Sequence, residues 1–480
     1  MVKSFMALGL RWVQQLGLVS ALWLAKKAFK DAPAFQQPAE NFEDVYYTVP
    51  LQVGGQMLHC VPDTGSFSVL LISKECSECG DVLSYLDQAF DPSKAPNYSH
   101  LSQYAEITFG SGSVHVEGGS TAVQMGNAVV VNGQKVWEIK QMDSGMQSIW
   151  DQGARFEGIL GMGMATWVPD SRNESTLLAN AHIFKFGMCL GDESDQTSKI
   201  YWGAWPHGPH YVTSPVVGKK HWAISVTSFG VGDVLKTCDP CAAVVDSGTS
   251  SLGAPETHLA DLENLLKDSL GNSLDGDCSN QESMPDIKIG LKGTDGSTFT
   301  IAIPASWYVK KSSDGVCRLS LMTTPLPSSR DFGPVWLLGQ PFIREYMVMY
   351  DRESDPPTMS FARRGGTPGQ MEACPDLQNP TSTIKTFEAS AVDHKNETLI
   401  TRNTPLQGED ILIHRKKQED HSDDVIFPQT SRQTTALIAE SQRQQKRTGV
   451  AISVQARSKV RAAVGAVPFW TLRNFEDGIY

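Results

Sequence analysis

The sequence lacks two features that would place it in common classes of protein. It has no excess of positive charge, because 53 acidic residues outnumber 41 basic ones and give a formal net charge of −12. It also has no apolar run of about 20 residues, the length that a helix needs to cross a bilayer. The acidic balance argues against a general nucleic-acid binder, and the short apolar runs predict no firm membrane span.

Cysteine is scarce, at nine in 480 residues, but four of the nine stand in two close pairs. Cys76–Cys79 and Cys238–Cys241 each have the Cys-x-x-Cys spacing, which fits a zinc site, a redox centre or a small disulfide loop. A structural zinc ion needs four ligands in one place, and nothing in the sequence brings the two pairs together. We therefore expect no metal and no other cofactor, and keep a zinc or redox protein as a third hypothesis.

The N-terminus contains a ten-residue, mostly apolar run, Leu16–Ala25. This length fits the core of a signal peptide, but Lys26 and Lys27 follow at once, which is unusual near a cleavage site. A cleaved signal, an uncleaved anchor and a short amphipathic helix all stay open. The chain also carries three Asn-x-Ser/Thr sequons that fit a secretory route, at Asn97, Asn173 and Asn396.

Short alternating apolar runs broken by glycine extend from Tyr46 to about Arg363 and predict an all-β body. Within it, leucine recurs at helical spacing over Pro255–Ser269, which predicts a helix. Beyond Arg364 the chain becomes polar, and residues 376–435 are predicted to be disordered. The body from Tyr46 to Arg363 has a net charge of −14, whereas residues 426–480 have a net charge of +5.

The body also contains an internal repeat. Asp63-Thr64-Gly65-Ser66 recurs 183 residues later as Asp246-Ser247-Gly248-Thr249. An apolar-apolar-Gly element follows each copy at a similar distance, Ile159-Leu160-Gly161 in the first half and Leu337-Leu338-Gly339 in the second. Two similar halves with one carboxylate each predict a duplicated lobe with a cleft between. Asp143-Ser144-Gly145 lacks the final hydroxyl and is interpreted as a chance match.

Two carboxylates close together suit the hydrolysis of a peptide bond without a covalent intermediate. They cannot both ionise side by side, so the pair holds one proton in common. One carboxyl can then activate water as a base while the other protonates the carbonyl oxygen as an acid. Asp63 and Asp246 are therefore the predicted catalytic pair. The predicted supporting residues are the hydroxyls and glycines that follow them, namely Thr64, Gly65, Ser66, Ser247, Gly248 and Thr249.

Each kind of supporting residue has its own expected role. The glycines let the backbone bend and pack closely against its mate. Ser66 and Thr249 are expected to hold the carboxylate oxygens by hydrogen bonds. Thr64 and Ser247 are expected to link the two loops across the lobe interface. For either motif alone an ordinary β-turn would be the better interpretation, and it is the pairing that favours a catalytic site.

The motif set resembles the pepsin and cathepsin D family of aspartic endopeptidases. Besides the two aspartate motifs, the resemblance rests on Phe156–Gly161, Trp336–Gly339 and Phe342–Tyr346 running into Tyr350–Arg352. It covers about Tyr46–Arg363. It implies a bilobal, acid-protease β fold with a central cleft, acid-optimal endopeptidase activity on peptides or proteins, and no metal. We expect a monomer.

The resemblance also implies a disulfide pattern. Three bridges, Cys76–Cys79, Cys238–Cys241 and Cys278–Cys317, resemble those of the family. Cys60, Cys189 and Cys374 are then left over, and a Cys60–Cys189 bridge would pair two of them.

Ile107–Ser113 resembles the family's flap, the hairpin that closes over substrate, so Phe109, Gly110 and Ser111 are predicted to bind substrate. The family normally has tyrosine at Phe109, hydrogen-bonded to a tryptophan at the position of Leu70. Both positions are apolar here, so no polar group is orphaned. This pattern indicates a flap held by packing, with lower or altered activity, or a flap that no longer works. Pro62, just before the first motif, is also unusual and removes a backbone donor.

The sequence thus predicts an aspartic-type endopeptidase of the secretory pathway, a lysosome- or vacuole-like acidic compartment or the cell exterior. The alternative is a catalytically weak or inactive pepsin-fold protein that binds or inhibits peptides, although neither aspartate nor its supporting residues are missing. Four segments are predicted: 1–45, a signal or short pro-like segment; 46–215, the N-terminal β lobe; 216–363, the C-terminal β lobe; and 364–480, a largely disordered, basic-ended tail.

Overall fold

The computed structural model describes residues 33–165, 175–270, 276–311, 315–324, 326, 328–329, 331–365 and 372–389. The predicted signal region, the sequons at Asn173 and Asn396 and the tail beyond residue 389 lie outside these ranges. Within them the chain forms 24 strands and six α-helices. The expected all-β fold with two similar lobes is confirmed.

The long strand Ser113–Met125 of the first half largely alternates buried with more exposed positions, as expected of a sheet with one face on a core, whereas the short strands Val69–Ile72 and Gly158–Gly161 are buried throughout. The twelve strands of the first half are β1 (Phe35–Pro38), β2 (Glu40–Phe42), β3 (Tyr46–Val53), β4 (Gln56–Asp63), β5 (Val69–Ile72), β6 (Ser99–Thr108), β7 (Ser113–Met125), β8 (Val129–Met142), β9 (Gly158–Gly161), β10 (Lys185–Cys189), β11 (Lys199–Trp202) and β12 (Val212–Pro215). The first lobe is one sheet in the order β2-β3-β4-β9-β5-β8-β7-β6, and β3 also pairs with β7. This extra pairing closes the sheet around an apolar core.

The second half also forms a large sheet of its own. Its strands are β13 (Ala223–Val231), β14 (Val234–Val245), β15 (Leu252–Ala254), β16 (Ile287–Lys292), β17 (Thr298–Ile303), β18 (Val309–Lys311), β19 (Cys317–Leu319), β20 (Leu321–Thr323), β21 (Val335–Leu338), β22 (Tyr346–Asp351), β23 (Thr358–Arg363) and β24 (Lys385–Glu388). Seven of them form a sheet in the order β17-β16-β13-β14-β21-β15-β20. Strands β18 and β19 form a separate pair.

The helices are short, apart from one. They are α1 (Val82–Tyr85), α2 (Ser144–Asp151), α3 (Leu177–Asn180), α4 (Glu256–Leu270), α5 (Ala305–Tyr308) and α6 (Gln340–Glu345). The long helix α4 is the one predicted from leucine spacing, displaced by a single residue. Among the described residues, no helix is long and apolar enough to cross a membrane.

A third sheet joins the two halves, in the order β1-β11-β10-β22-β23-β12. An aromatic cluster forms its core: the rings of Phe186 and Tyr350 stack with centroids 4.5 Å apart, and Trp222 meets Tyr350 edge-on at 5.1 Å. The Trp222 indole N–H also donates to the carbonyl of Met162 at 2.9 Å, so it links the second half to the first. The domain boundary at residue 215 stays a prediction, because this sheet draws strands from both sides of it.

The body extends beyond both of its predicted ends. Strands β1 and β2 precede Tyr46, and residues 372–389 lie against the body instead of beginning a disordered tail. Cys374 is disulfide-bonded to Cys189, and β24 pairs in parallel with the start of β8. The prediction of disorder from residue 376 is therefore wrong as far as residue 389, because a covalent bond and a ladder of backbone hydrogen bonds fix this polar stretch.

Candidate active site

The sequence repeat is also a structural repeat. Strand β4 ends at Asp63 and runs parallel to β9, with Asp63 opposite Gly161. In the second half β14 runs parallel to β21, with Val245 opposite Leu338, and Asp246 follows directly. In each half the chain then turns and returns antiparallel to the same apolar strand, as β5 and as β15. Each aspartate loop is thus held between two strands that pair with one apolar-apolar-Gly element.

The glycine of that element is required by close packing against the aspartate loop. A Cβ at Gly161 would lie 2.4 Å from the backbone carbon of Phe67. A Cβ at Gly339 would lie 2.2 Å from the carbonyl oxygen of Thr249. Real Cβ atoms do not approach backbone this closely, so both halves need glycine for the same steric reason.

Thr64 and Ser247 link the two loops. The N–H of Thr64 donates to Ser247 Oγ, and the N–H of Ser247 donates to Thr64 Oγ1, each at 3.0 Å. Each hydroxyl in turn donates to a carbonyl beside the opposite aspartate: Thr64 to Val245 at 2.8 Å and Ser247 to Pro62 at 2.6 Å. The unusual Pro62 therefore takes part as an acceptor, for which no N–H is needed.

Asp63 and Asp246 are both fully buried. Each carboxylate accepts a hydrogen bond of 2.9 Å through its Oδ1 from the glycine two residues on, Gly65 and Gly248. Asp246 Oδ2 also accepts from the Thr249 hydroxyl at 2.6 Å. Gly65 lies so close to the opposite carboxylate that a Cβ there would be 2.8 Å from Asp246 Oδ1. The two loops therefore bring their carboxyl groups into one site.

The electrostatics of the pair follow from this burial. Loss of solvation, followed by the negative charge of Asp246, raises the pKa of Asp63 well above its ordinary value. The Gly65 N–H and the nearby Ser66 hydroxyl favour the ionised form but do not cancel the rise. The hydrogen bond expected between Ser66 and its aspartate is not formed with good geometry, because Ser66 Oγ and Asp63 Oδ2 are both buried without a hydrogen-bond partner among the described residues. The raised pKa favours the protonated form of the Asp63 carboxyl beside Asp246.

The hairpin predicted as the flap connects β6 to β7, with Thr108 opposite Ser113. Its loop closes by a hydrogen bond of 2.7 Å from the Phe109 N–H to the Gly112 carbonyl. Phe109 is 1% exposed and lies in one apolar cluster with Leu70. Gly110 and Ser111, at the tip, are partly buried. Packing therefore holds the ring of Phe109 where the family resemblance would place a hydrogen-bonded tyrosine.

Two further residues contact the aspartate loops without having been singled out in the sequence. Gln340 is buried, donates from Nε2 to the carbonyl of Ser247 at 2.6 Å, and donates its N–H to the carbonyl of Thr249 at 2.8 Å. Its place directly after Leu337-Leu338-Gly339 could have revealed it. Tyr350 is also buried; burial raises its pKa, and Thr64 and Asp246 lie close enough to affect it. The sequence marks Tyr350 only as part of the family resemblance and gives it no role at the site.

Disulfide bonding is confirmed, and eight of the nine cysteines are paired. The bridges are Cys76–Cys79, Cys238–Cys241, Cys278–Cys317 and Cys189–Cys374. A Cys60–Cys189 bridge is therefore wrong: Cys189 pairs with the distant Cys374, and Cys60 is a buried free thiol.

The cysteine pairs also bear on the zinc and redox hypothesis. Cys238, Cys241 and His258 have their ligand atoms within 4.8 Å of one another, a spacing that could hold a metal ion. The two sulfur atoms are bonded to each other, however, so neither is a free thiolate. The other Cys-x-x-Cys pair belongs to the first lobe. This arrangement favours two small disulfide loops over a four-ligand zinc site.

Two similar β lobes, each presenting a buried aspartate on a loop that interlocks with its counterpart, define a class: the bilobal β proteins with one aspartate loop in each lobe. The family model for Eukaryotic aspartyl protease matches residues 46–363. Pepsin II-1 of Oryctolagus cuniculus is 27% identical over 333 residues, which are 66% of this chain and 81% of that protein. Pepsin A of Gallus gallus is 29% identical over 338 residues, 66% of this chain and 85% of that protein. The chain belongs to the eukaryotic aspartyl protease family.

Proposed function

We propose that this chain is an active aspartic endopeptidase that cleaves peptide bonds with a water activated between Asp63 and Asp246. The observation that carries the proposal is the burial of both carboxyl groups in one site, with the pKa of Asp63 raised. A raised pKa keeps a proton on the pair in mildly acidic solution, and that proton is the one the reaction needs. The carboxyl pair of aspartic proteases is the standard example of this behaviour.

The reaction follows from a pair that carries one proton. The ionised carboxylate takes a proton from the water molecule while the oxygen of that water attacks the carbonyl carbon of the scissile peptide bond. The protonated carboxyl gives its proton to the carbonyl oxygen, so that a neutral tetrahedral diol forms. The C–N bond then breaks as the amine nitrogen receives a proton from the pair and one hydroxyl returns its own. One water is consumed, an acid and an amine are released, and the pair ends with one proton as it began.

The supporting residues are assigned to keep this geometry fixed. Thr249, Gly65 and Gly248 hold the carboxylate oxygens, and Thr64 with Ser247 keeps the two loops together. Preorganised groups of this kind lower a barrier because they need not reorient during the reaction. We assign Phe109, Gly110 and Ser111 to the substrate-binding flap, and the substrate class to extended peptides with apolar side chains beside the scissile bond.

The setting of the activity is proposed from the cysteines and the pKa shift together. Four disulfides form and persist in oxidising compartments, and the exposed sequon at Asn97 fits the same route. A carboxyl pair that must keep one proton works best in acid. We therefore place the protein in the secretory pathway, in an acidic lysosome- or vacuole-like compartment or outside the cell, and expect it to act as a monomer.

Digestion of a denatured protein at about pH 4, where a carboxyl pair with a raised pKa retains its proton, tests the proposal. The wild type should release fragments, a statine-type inhibitor should stop it, and Asp63→Asn should abolish it. Asp151→Asn, at an exposed position away from the pair, is the matched control and should cleave like the wild type. A folded wild type that binds the inhibitor but releases no fragment would support the alternative, a peptide-binding protein without catalysis.

A further inference from the structure

The third Asp-Ser-Gly sequence of the chain, Asp143-Ser144-Gly145, stands between β8 and α2. Asp143 is the N-cap of α2: its Oδ1 accepts the N–H of Met146 at 2.8 Å. Its second oxygen, Oδ2, accepts the N–H of Ser113 at 2.8 Å. Ser113 is the first residue of β7, directly after the flap loop. One carboxylate therefore joins the flap hairpin to a helix that begins 31 residues later.

The backbones of the two elements also meet at this point. The Asp143 N–H donates to the carbonyl of Ser113 at 3.0 Å. A Cβ at Gly112 would lie 2.2 Å from Asp143 Oδ1, and a Cβ at Gly145 would lie 2.3 Å from the carbonyl oxygen of Ser111. Glycine in both segments is thus what permits the flap to lie directly on the first turn of α2.

The opposite side of the flap packs through apolar side chains. The side chains of Phe109 and Leu70 are hydrocarbon and are buried in one cluster. One hydrogen bond of 2.9 Å joins the hydroxyls of Thr108 and Ser113, but it lies within the hairpin. Packing is weakly directional, whereas a hydrogen bond to a charged acceptor is short, strong and fixed in direction. The Asp143 carboxylate supplies such a bond.

We propose that Asp143 is a positioning residue that latches the flap onto helix α2 and so fixes the height of the flap tip over bound substrate. The inference deepens the proposed protease function and rests on it for its kinetic consequence. A released flap would close less often, so substrate and inhibitor would bind more weakly, while the carboxyl pair that performs the chemistry would be untouched.

Two substitutions separate the latch from the helix cap. Serine is as good an N-cap as aspartate, so Asp143→Ser should keep the hydrogen bond from the Met146 N–H. Its side chain is shorter and has a single oxygen, so it should lose the hydrogen bond from the Ser113 N–H. Asp143→Ala loses both bonds. Asp151→Ala, which removes an exposed carboxylate at the other end of the same helix, is the control for charge. Amide hydrogen exchange of the unliganded proteins, resolved at Ser113 and over residues 144–151, reports on flap and helix separately.

We expect exchange at Ser113 to be about tenfold faster in both Asp143 variants, the change that follows from losing one hydrogen bond to a charged group. Exchange in α2 should rise only in Asp143→Ala, and Asp151→Ala should change neither. Unaltered exchange at Ser113 in Asp143→Ser would overturn the latch. This readout needs no catalysis, so it distinguishes failure of the latch from failure of the proposed protease function.

The kinetic arm uses a peptide substrate and a statine-type inhibitor. For Asp143→Ser, KM and the inhibition constant should rise about three- to tenfold with kcat nearly unchanged, the pattern of lost uniform binding. A fall in kcat with KM unchanged would contradict the assigned role, because it would indicate damage to the catalytic pair and not to flap closure.

Discussion

Thr64 and Ser247, 183 residues apart in the chain, hold each other by two reciprocal hydrogen bonds of 3.0 Å, each from a backbone N–H to the other's hydroxyl. Each hydroxyl donates a hydrogen bond to a backbone carbonyl of the opposite loop, Thr64 to Val245 and Ser247 to Pro62. All of these groups are buried. The two aspartate loops are therefore one hydrogen-bonded unit.

The reciprocal bonds between Thr64 and Ser247 predict that substitutions at these two residues have strongly coupled effects on the unfolding free energy. Thr64→Val keeps the shape of the side chain but leaves the Ser247 N–H without an acceptor, and should cost about 1–3 kcal/mol of unfolding free energy, as should Ser247→Ala. The double variant should lose clearly less unfolding free energy than the two single variants lose together, because the first substitution already breaks the network that the second one affects. Urea unfolding of the four proteins gives the coupling energy. Thr64→Ser, which keeps the hydroxyl, is the control, and strictly additive costs would refute the coupling.

The raised pKa of Asp63 predicts a pH-dependent gain in stability for Asp63→Asn. A group whose pKa is raised by folding contributes stability that is full below its unfolded pKa and is lost as the pH rises through the folded value. The wild type therefore loses this contribution towards neutral pH, whereas asparagine does not titrate. We expect the variant to have the higher Tm at about pH 7 and to lose the advantage near about pH 3.

The control for this measurement is a carboxyl group with the opposite shift. Hydrogen bonds from Ser297 lower the pKa of the exposed Asp295, so its contribution is present above the unfolded pKa and is lost in acid. Asp295→Asn should therefore show no gain in Tm at neutral pH. If Asp63→Asn and wild type differed in Tm by the same amount at both pH values, the raised pKa would be wrong.

The buried flap aromatic predicts a difference between two positions of one hairpin. Phe109 is 1% exposed, whereas Tyr104 on the adjoining strand β6 is 68% exposed. Phe109→Ala should lower the unfolding free energy by about 3–5 kcal/mol, the cost of emptying a packed aromatic site. Tyr104→Ala should cost much less, because its ring already faces solvent. Equal small losses in urea unfolding would mean that the flap is not held by packing.

The Cys189–Cys374 bridge predicts that the segment after Arg363 stabilises the body. It joins residues 185 apart in sequence, and removing a native bridge typically costs about 2–5 kcal/mol. The double variant Cys189→Ser/Cys374→Ser should show this loss in urea unfolding. Cys76→Ser/Cys79→Ser, which opens a bridge across three residues, is the matched control and should lose less. The prediction fails if the ranking is reversed.

The parts of this architecture that repeat could be predicted from the sequence, and the parts that depend on one distant contact could not. The two aspartate motifs appear in the sequence because a duplicated fold needs the same glycines and hydroxyls in each half. The helix predicted over Pro255–Ser269 is found at Glu256–Leu270, because its leucines follow a helical period. In contrast, a single cysteine such as Cys374 has no pattern that specifies its partner.

The same limit applies to Asp143. Its motif was interpreted as a chance match, because the identity of a residue does not reveal which N–H groups its carboxylate will meet. Those groups, on Ser113 and Met146, come together only through the register of β7 on β8 and the start of α2. The strand at Lys385–Glu388 was missed for a related reason: it is held by backbone pairing with β8 and by packing of Phe387 on the core, and a single apolar residue in a polar strand does not predict either contact.

The central claim is that Asp63 and Asp246 act as one pair sharing a proton, and the most direct test is kcat/KM on one peptide substrate across the acid range. The wild type should give a bell-shaped profile limited by two apparent pKa values that belong to the pair. Asp63→Asn and Asp246→Asn should each lose activity at every pH, with the folded state retained. Substantial activity in either variant, or a wild-type profile without a rising acid limb and a falling neutral limb, would contradict it.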